Sequence, residues 1–194
     1  MKNGLELRTR IGSGSYGEVW RAREKNGNDV AVKFITAPST LNVIEGAALV
    51  NEIRALREMD NEHVLHLLRI FKHSSGRIAI VTPVFDFTLA AVARYISATQ
   101  RQHIIYQLLC ALHYIHWCGW VHCDVKPANI LINADCFVVL ADLGMIRKAK
   151  TEIVSDEDAY IVTRWYRPPE IAFKCRTGIT PAVDIWSLAC VWMQ

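Results

Sequence analysis

Short apolar runs and regular apolar spacing divide the chain into predicted strands and helices. Residues 5–11, 17–23 and 29–35 alternate or cluster β-forming side chains, and turns that contain Gly or Asn separate them. The turn at residues 25–28 suits a β-hairpin. This pattern predicts three consecutive strands at the start of the chain.

Helical spacing begins after residue 40. Leu49, Ile53, Leu56 and Met59 recur on one face and predict a helix over residues 41–59. Two further strands are predicted at 65–71 and 78–84. From residue 86 the pattern is mainly helical, with the longest helix predicted at 99–117 and Gly119 as its C-cap. Short β-like runs return over residues 125–141, so the chain is predicted to be an α+β protein.

Composition excludes several classes of function but adds little to the prediction of the fold. The 194 residues are 52% hydrophobic, which is enough for a buried core, and a net charge of only +3 gives nucleic-acid binding no support. The chain has no apolar run long enough to span a bilayer and no apolar N-terminal stretch of the secretory type. The six cysteines are irregularly spaced, without a CxxC pair. We therefore expect a cytoplasmic or nuclear protein with free thiols, and neither nucleic acid nor membrane as a partner.

The first candidate for chemistry is the glycine-rich stretch at residues 12–17. Glycines allow a backbone to approach phosphate closely and to present its N–H groups. A GxGxxG pattern alone is weak, because glycine-rich turns are common. Here the glycines lie between two predicted strands rather than between a strand and a helix, which argues against a dinucleotide-binding oxidoreductase and favours a β-hairpin that covers phosphates.

A lysine in the third predicted strand is the second candidate. Lys33 follows Ala31 and Val32, and a lysine within an apolar strand is costly to bury unless it is paired. Glu52 and Glu45 on the following helix are both candidate partners. Taken alone, such a lysine is more often an edge-strand residue than a ligand.

Residues 122–129 place a carboxylate, an ammonium and an amide close together. Asp124, Lys126 and Asn129 can accept a proton, neutralise phosphate and ligate Mg²⁺, respectively, and Pro127 favours a loop. A second acidic group, Asp142, follows another predicted strand. Each of these residues has a purely structural interpretation when it is considered alone.

In this order and spacing, the motifs resemble the signature set of the protein kinase family: a glycine loop, the lysine of residues 31–33, a catalytic loop, an Asp-Leu-Gly triplet at 142–144 and a Pro-Pro-Glu triplet at 168–170. The resemblance covers nearly the whole chain. It implies a kinase-like bilobal fold. Residues 1–85 correspond to a small N-lobe of five strands and one helix, and residues 86–194 to an incomplete helical C-lobe.

The resemblance also implies roles for individual residues, with ATP and Mg²⁺ as cofactors. Asp124 corresponds to the catalytic base and Lys126 to the lysine that contacts the γ-phosphate. Asn129 and Asp142 correspond to the Mg²⁺ ligands. The implied nucleotide-binding residues are Ile11, Gly12, Gly14, Gly17, Val19, Ala31, Lys33, Glu52, Thr82, Pro83, Phe85 and Leu131.

Other likenesses narrow the subgroup. Lys126, two residues after Asp124, is typical of Ser/Thr kinases, and residues 160–170 resemble the substrate segment of cyclin-dependent and mitogen-activated protein kinases (the CMGC group). In that group, residues equivalent to Arg164 and Arg167 organise a proline-directed site, and Asp184 resembles a buried aspartate that supports the catalytic loop. These likenesses imply an ATP-dependent Ser/Thr protein kinase with protein substrates. Proline preference is a hypothesis, and a cyclin-like or scaffold partner is left open.

The chain also departs from the family pattern. Cys123 and Asn51 stand where regulated members carry arginines that grip a phosphate on the activation segment, and Arg147 is the third of that set. Asp158 stands where mitogen-activated protein kinases have the threonine of Thr-x-Tyr, whereas Tyr160 is retained. We hypothesise that the chain does not depend on a phosphothreonine there. The alternative is that Asp158 is a solvated residue of an acidic run.

The last residues, Trp192-Met193-Gln194, fall in what resembles the central helix of the large lobe. We therefore expect a truncated kinase domain in which apolar side chains near the end lose part of their cover. The full catalytic set favours an active enzyme. The alternative is a kinase-like nucleotide-binding module that regulates without catalysis, for which the truncation is the only support.

Overall fold

Ten strands and five α-helices lie within residues 4–14, 17–35, 42–149, 162–173, 175 and 178–194, which the computed structural model describes. The chain divides into two compact units, of which the first contains residues 1–49 and 66–84 and the second residues 50–65 and 85–194. In order, the elements are β1 Leu5–Gly14, β2 Gly17–Glu24, β3 Asp29–Ile35, α1 Val43–Glu58, β4 Arg69–Lys72, β5 Ile78–Pro83, β6 Phe87–Thr88, α2 Leu89–Val92, α3 Ala98–Trp117, β7 Trp120–Val121, β8 Ile130–Ile132, β9 Val138–Leu140, β10 Arg147–Lys148, α4 Pro169–Ala172 and α5 Ala182–Trp192.

The first unit is built on a five-stranded antiparallel sheet in the order β1-β2-β3-β5-β4. One face of this sheet is apolar and buried. Its members are Ala22, Val30, Val32, Phe34, Ala79 and Val81, with Leu5, Trp20 and Phe71 packed against them. Because side chains alternate along a strand, the intervening residues of β2, β3 and β5 point to the opposite face. Burial of the apolar face therefore fixes which residues the opposite face presents.

Helix α1 begins two residues later than predicted because a capping box sets its start. Asn42 Oδ1 accepts a hydrogen bond from Glu45 N, and Glu45 Oε2 accepts one from Asn42 N, both at 2.9 Å. This reciprocal pair satisfies two backbone donors that the helix itself leaves unpaired. The carboxylate of Glu45, one of the two partners considered for Lys33, is thus engaged at the helix start.

Helix α3 forms the longest element of the second unit. It begins with a second capping box, in which Ser97 and Gln100 bond to each other's backbone N–H groups. It ends before Gly119, whose φ of 76° suits glycine at a helix C-terminus. The predicted bounds of 99–117 are within one residue of Ala98–Trp117, but the C-cap is Cys118, and Gly119 is the residue that follows it.

Gln107 joins α3 to the β8–β9 hairpin. Its side chain is buried, accepts a hydrogen bond from Val138 N at 2.9 Å and donates one to Cys136 O at 2.9 Å. Strand β8 pairs with both β9 and β6. The helix thereby fixes the end of the hairpin that follows the candidate catalytic loop.

Strand β4 begins at Arg69, so the predicted start at residue 65 is wrong. Leu65 N donates to Leu140 O at 2.9 Å, and Val64 forms a parallel bridge with Leu140. The apolar residues before β4 therefore pair with β9 in the second unit, which the alternation along the sequence could not reveal.

The predicted α+β class is confirmed by a sheet-based first unit and a second unit that contains the longest helix, α3. The division at residue 85 remains a prediction. Among the described residues, no helix combines the length and apolar character needed to cross a membrane.

Candidate active site

Asp124, in the loop after β7, lies at the centre of a hydrogen-bonded group. Its Oδ1 accepts from the hydroxyl of Thr163 at 2.5 Å, and its Oδ2 accepts from Lys126 Nζ at 2.6 Å and Asn129 Nδ2 at 2.8 Å. Lys126 Nζ also donates to Thr163 Oγ1 at 3.1 Å. The structure thus brings together three residues that the sequence singled out and adds Thr163, for which the sequence offered no separate signal.

A short turn explains this arrangement. Pro127 begins a single 3-10 turn that ends at Asn129, and Asn129 N donates to Lys126 O at 2.9 Å. Proline suits the first position of such a turn because its φ is fixed and it lacks an N–H group. The turn directs the amide of Asn129 back to the main chain, where Nδ2 donates to Asp124 O at 2.9 Å.

Asp184 supports the candidate catalytic loop through hydrogen bonds to its backbone. Its carboxylate is fully buried at the start of α5 and accepts hydrogen bonds from His122 N and Cys123 N, both at 2.8 Å. Oδ2 also lies 2.8 Å from His116 Nε2 on α3. A buried carboxylate needs several such donors to offset its lost hydration. The family-based expectation for Asp184 matches this geometry, whereas the contribution of His116 was not predicted.

His122 is a packed, hydrogen-bonded residue rather than a residue free to take up substrate protons. It is fully buried, its Nδ1 accepts from Asp124 N at 3.2 Å, and its Nε2 lies 3.0 Å from Ala141 O. Because the backbone N–H must donate to Nδ1, the neutral ring carries its proton on Nε2 and donates to the carbonyl.

Asp142 follows β9 close to Asn129. Ala141 N donates to Asn129 O at 2.8 Å, so the residue before Asp142 is tied to the turn of the catalytic loop. Asp142 has a φ of 60° and an exposed side chain. Aspartate tolerates this left-handed conformation better than most residues do. Two oxygen-bearing side chains, an amide and a carboxylate, are therefore carried by adjoining segments.

The face of the sheet opposite the apolar cluster carries four of the residues predicted to bind nucleotide. Val19 and Lys33 are paired across β2 and β3, and Ala31 and Thr82 are paired across β3 and β5. Because Ala31 and Lys33 are two residues apart, all four side chains point to one face. Glu52 lies buried on α1. Its pairing with Lys33 remains a prediction.

The glycine-rich stretch forms the β1–β2 hairpin, as the spacing predicted. Gly12 pairs with Val19, and Gly14 with Gly17, at the end of the strands. The register shifts between Arg10 and Gly12, so Ile11 is the extra residue of a bulge and is half exposed. Of the remaining predicted residues, Pro83 ends β5, Phe85 lies two residues further along the chain and Leu131 lies half-buried in β8.

Hydrogen-bond donors lower the pKa of two carboxyls in strands β2 and β3. Hydrogen bonds from Trp20 and Arg10 lower the pKa of Glu18, which follows Gly17. At the far end of the same strands, a hydrogen bond from Arg23 lowers the pKa of Asp29. Both carboxyls therefore stay ionised to more acidic pH than isolated side chains.

The segment after Asp142 is anchored at both described ends. Strand β10 pairs with β7, and Lys148 Nζ lies 3.8 Å from the centre of the Trp120 ring. At the other end, the Arg167 guanidinium donates to Val162 O through Nε at 3.1 Å and Nη2 at 2.7 Å. Asp158 and Tyr160, on which the phosphothreonine hypothesis depends, lie outside the described residues.

Comparison with known proteins is consistent with this arrangement. A family profile described as "Protein kinase domain" matches residues 5–194. The chain is 36% identical over 190 residues to mitogen-activated protein kinase 4 of Arabidopsis thaliana, which covers 93% of this chain and 49% of that protein. It is 35% identical over 195 residues to mitogen-activated protein kinase p38a of Drosophila melanogaster, and that match covers 95% of this chain and 52% of that protein. The chain thus spans about half the length of the curated relatives it matches.

Proposed function

This chain belongs to the protein kinase family, and from that premise we propose that it transfers the γ-phosphoryl group of ATP to serine or threonine of protein substrates. The observation that carries the proposal is the Asp124 carboxylate, held by three donors from Lys126, Asn129 and Thr163. A carboxylate held in one orientation can align a substrate hydroxyl and accept its proton.

Lys126 supplies positive charge at the same place. Its ammonium bridges Asp124 and Thr163 and remains partly exposed, so it can approach an anionic substrate. In phosphoryl transfer, most of the rate enhancement comes from positioning and from stabilisation of the charge on the transferring group. The fixed ammonium of Lys126 fits the second of these requirements.

The residues around Asn129 fit a magnesium ion. The amide nitrogen of Asn129 donates twice to Asp124, which leaves its carbonyl oxygen as the group to offer to a cation. With the carboxylate of Asp142, the site offers hard oxygen donors of the kind Mg²⁺ prefers. When bound there, Mg²⁺ would supply positive charge that offsets the negative charge of the phosphates. The chain's own contribution is to hold Asn129 by hydrogen bonds and Asp142 by its place after β9.

The nucleotide half of the proposal is supported by the sheet of the first unit. Val19 and Ala31 offer apolar contact for a base, and Lys33 on the same face offers a cation for phosphate. The β1–β2 hairpin contributes backbone N–H groups, which bind anions when a turn aligns them. Lys33 has interaction partners of its own in the structure.

A finer proposal concerns the residue after the phosphoacceptor. The Val162 carbonyl precedes Thr163 and accepts two N–H groups from Arg167. A substrate N–H directed at this carbonyl would find the acceptor occupied, and an unpaired donor costs about 1–3 kcal/mol. Proline has no N–H group, so it avoids this cost. We therefore propose that this chain prefers substrates in which proline directly follows the phosphorylated serine or threonine.

The catalytic proposal is tested by comparing Asp124→Asn with a matched control. Loss of the carboxylate should reduce the rate of phosphoryl transfer from ATP·Mg²⁺ to a Ser-Pro protein about 100-fold or more. The control is Asp135→Asn, because Asp135 is an exposed turn residue whose amide replacement can still accept from Phe137 N. Nucleotide-dependent thermal shift without any transfer by the unmodified chain would instead favour the regulatory module.

The proline proposal is tested with three peptides that differ only after the serine. Ser-Pro and Ser-(N-methyl-Ala) should react at similar rates, and Ser-Ala about tenfold more slowly, because only Ser-Ala carries the N–H group. Equal rates for Ser-Pro and Ser-Ala would contradict the proposal. A rate for Ser-(N-methyl-Ala) as low as that for Ser-Ala would show that proline is selected for its shape.

A further inference from the structure

The turn between β4 and β5 carries a hydrogen-bonded serine among basic side chains. Two backbone hydrogen bonds close this turn, from His73 N to Arg77 O at 2.8 Å and from Gly76 N to His73 O at 2.9 Å. Ser75 lies in the turn and is exposed, as is Lys72 at the end of β4. An exposed serine in a closed turn can be reached by another protein without unfolding of the sheet.

The Ser75 hydroxyl has a basic side chain on each side. Its Oγ lies 2.8 Å from His73 Nδ1 and accepts a hydrogen bond from Arg77 Nε at 3.2 Å. Because Ser75 N also donates to His73 Nδ1, at 3.2 Å, that nitrogen is an acceptor and the hydroxyl donates to it. The hydroxyl is thus held in one orientation, with a cation directly beside the oxygen that a phosphate would join.

Arg77 is held in place by contacts other than the one to Ser75. Its Cζ atom lies 5.0 Å from the centre of the Phe34 ring, and its Nη1 lies 3.9 Å from Glu18 Oε2. The contacts to Ser75 and Glu18 use different nitrogens, so a phosphate on Ser75 can bind at Nε while Glu18 remains at Nη1. A cation that is already held loses less conformational freedom when it binds an anion. The guanidinium is therefore preorganised for a phosphate on Ser75.

A phosphate would make stronger bonds at this place than the hydroxyl does. Phosphoserine carries a charge of roughly −1.5 to −2 and three acceptor oxygens. Hydrogen bonds between ionised groups are also roughly twice as strong as those between neutral groups. Residues 69–79 include no acidic side chain that would repel the phosphate. Glu18 is separately bonded to Arg10 at 3.2 Å and to Trp20 at 3.3 Å.

We infer that Ser75 is a phosphorylation site, that Arg77 binds its phosphate, and that a separate protein kinase which selects serine among basic residues modifies it. Lys72 and Arg77 flank the serine. Gly76 follows it, in place of the proline that the proposed specificity of this chain requires. The chain is here the substrate of another enzyme, so the inference goes beyond the proposed function and does not depend on it.

The transfer itself is an ordinary phosphoryl transfer from ATP. The Ser75 Oγ atom forms a bond to the γ-phosphorus, and the bond from that phosphorus to the oxygen that bridges it to the β-phosphorus breaks. ADP leaves with the electron pair of the broken bond. The hydroxyl proton passes to the catalytic carboxylate of the modifying kinase.

Installation of the phosphate is tested with the folded chain and with a synthetic peptide of residues 69–80. Each is incubated with ATP·Mg²⁺ and a protein kinase that selects serine preceded by basic residues, and the modified residue is mapped by mass spectrometry. The chain carries Asp124→Asn, so that any transfer comes from the added kinase. We expect one phosphoryl group on Ser75 of the folded chain, which Ser75→Ala removes.

Two results of this assay would overturn the inference. Modification of the peptide but not of the folded chain would show that the turn is closed to a kinase. Modification of neither would show that the basic residues around Ser75 do not recruit a kinase of this class.

Binding of the phosphate is tested by genetic encoding of phosphoserine at position 75 and titration of its ³¹P NMR signal. The pKa of this phosphate should lie below that of a phosphate at position 74, because the Arg77 guanidinium favours the dianion. Position 74 is the matched control, since Ser74 is an exposed neighbour in the same turn. Equal pKa values at the two positions would overturn the role of Arg77.

Two arginine variants identify the cation that the phosphate contacts. Arg77→Gln should raise the pKa of the phosphate at position 75 to that at position 74. Arg69→Gln should leave it unchanged, because Arg69 lies in the same hairpin but pairs with Glu24 at 2.8 Å. If both variants raise the pKa equally, the phosphate responds to net charge rather than to Arg77, and the inference is wrong.

Discussion

At Gly17 the backbone of β2 passes so close to that of β3 that an added Cβ atom would lie 1.9 Å from the Phe34 carbonyl oxygen. The φ of 141° is also one that residues with a side chain rarely adopt. This glycine is therefore required by close approach as well as by backbone conformation. Gly17 begins β2, the strand that also carries Val19 on the face predicted to bind nucleotide. A change at Gly17 should therefore affect nucleotide binding as well as stability.

We predict that Gly17→Ala lowers the free energy of unfolding by about 2 kcal/mol or more. The added Cβ atom would clash with the Phe34 carbonyl oxygen, so β2 and β3 must separate or the backbone must become strained. The KM for ATP should rise as well. Urea unfolding and initial-rate kinetics measure the two effects. Gly12→Ala is the control, since its Cβ atom would meet Val19 at an ordinary 3.7 Å. Equal stability of the two variants would contradict this account.

At the same scale, the sequence predicted some contacts and missed others for a physical reason. Asp124, Lys126 and Asn129 lie within six residues, so their motif can be read directly from the chain. Thr163 and His116 reach the site across 39 and 68 residues, respectively, to Asp124 and Asp184. Pairing at such distances along the chain depends on tertiary packing, which local patterns do not encode.

Among the elements, α3 and the β8–β9 hairpin are joined by hydrogen bonds from one side chain to the hairpin backbone. Gln107 accepts a hydrogen bond from Val138 N and donates one to Cys136 O, two backbone groups at the turn end of β9. A glutamine side chain carries one acceptor and a pair of donors, so it can satisfy both groups. Helix and hairpin are thereby joined by polar as well as apolar contacts.

We predict that Gln107→Leu lowers the free energy of unfolding by about 2–4 kcal/mol, because it leaves the buried Val138 N and the partly buried Cys136 O unpaired. Gln102→Leu, at an exposed position of the same helix, should change it by less than about 0.5 kcal/mol. Urea denaturation at pH 7 provides the measurement. A small effect of Gln107→Leu would mean that water replaces both hydrogen bonds.

The bounds of the elements could be predicted where local signals set them. Strand β3 and helix α3 begin and end within one residue of prediction because turns, a serine cap and Gly119 mark their ends. The start of β4 could not be predicted, since residues 64 and 65 instead pair with β9. An apolar run indicates burial, but it does not name the strand against which it is buried.

For the whole molecule, acid-sensitive ion pairs are a feature of the first unit. Glu18 and Asp29 both have a lowered pKa there, Glu18 through Trp20 and Arg10 and Asp29 through Arg23. Because the pKa of each carboxyl is lower in the folded than in the unfolded chain, the unfolded chain binds more protons than the folded chain does as pH falls. The stabilisation is thus present at neutral pH and is lost from about pH 4 downwards, through the folded pKa.

We predict that the first unit loses structure before the second as pH falls below about 4. The chain has six tryptophans, of which Trp20 lies in the first unit, so ¹⁹F NMR of the 5-fluorotryptophan-labelled chain can follow the units separately. The Trp20 signal should change at a higher pH than the other signals. Asp29→Asn should make its pH dependence shallower, and coincident transitions of all signals would contradict the prediction.

The hydrogen bonds to Asp184 also set an order of events in folding. His122 and Cys123 receive their support from a residue 62 and 61 positions later in the chain. At roughly 5–20 residues per second on the ribosome, about 3–12 s separate synthesis of the loop from synthesis of its support. During that interval the catalytic loop exists as a nascent segment without its final geometry. Its completion is thus a late, non-local step of folding, which waits for α5 to be made and to dock.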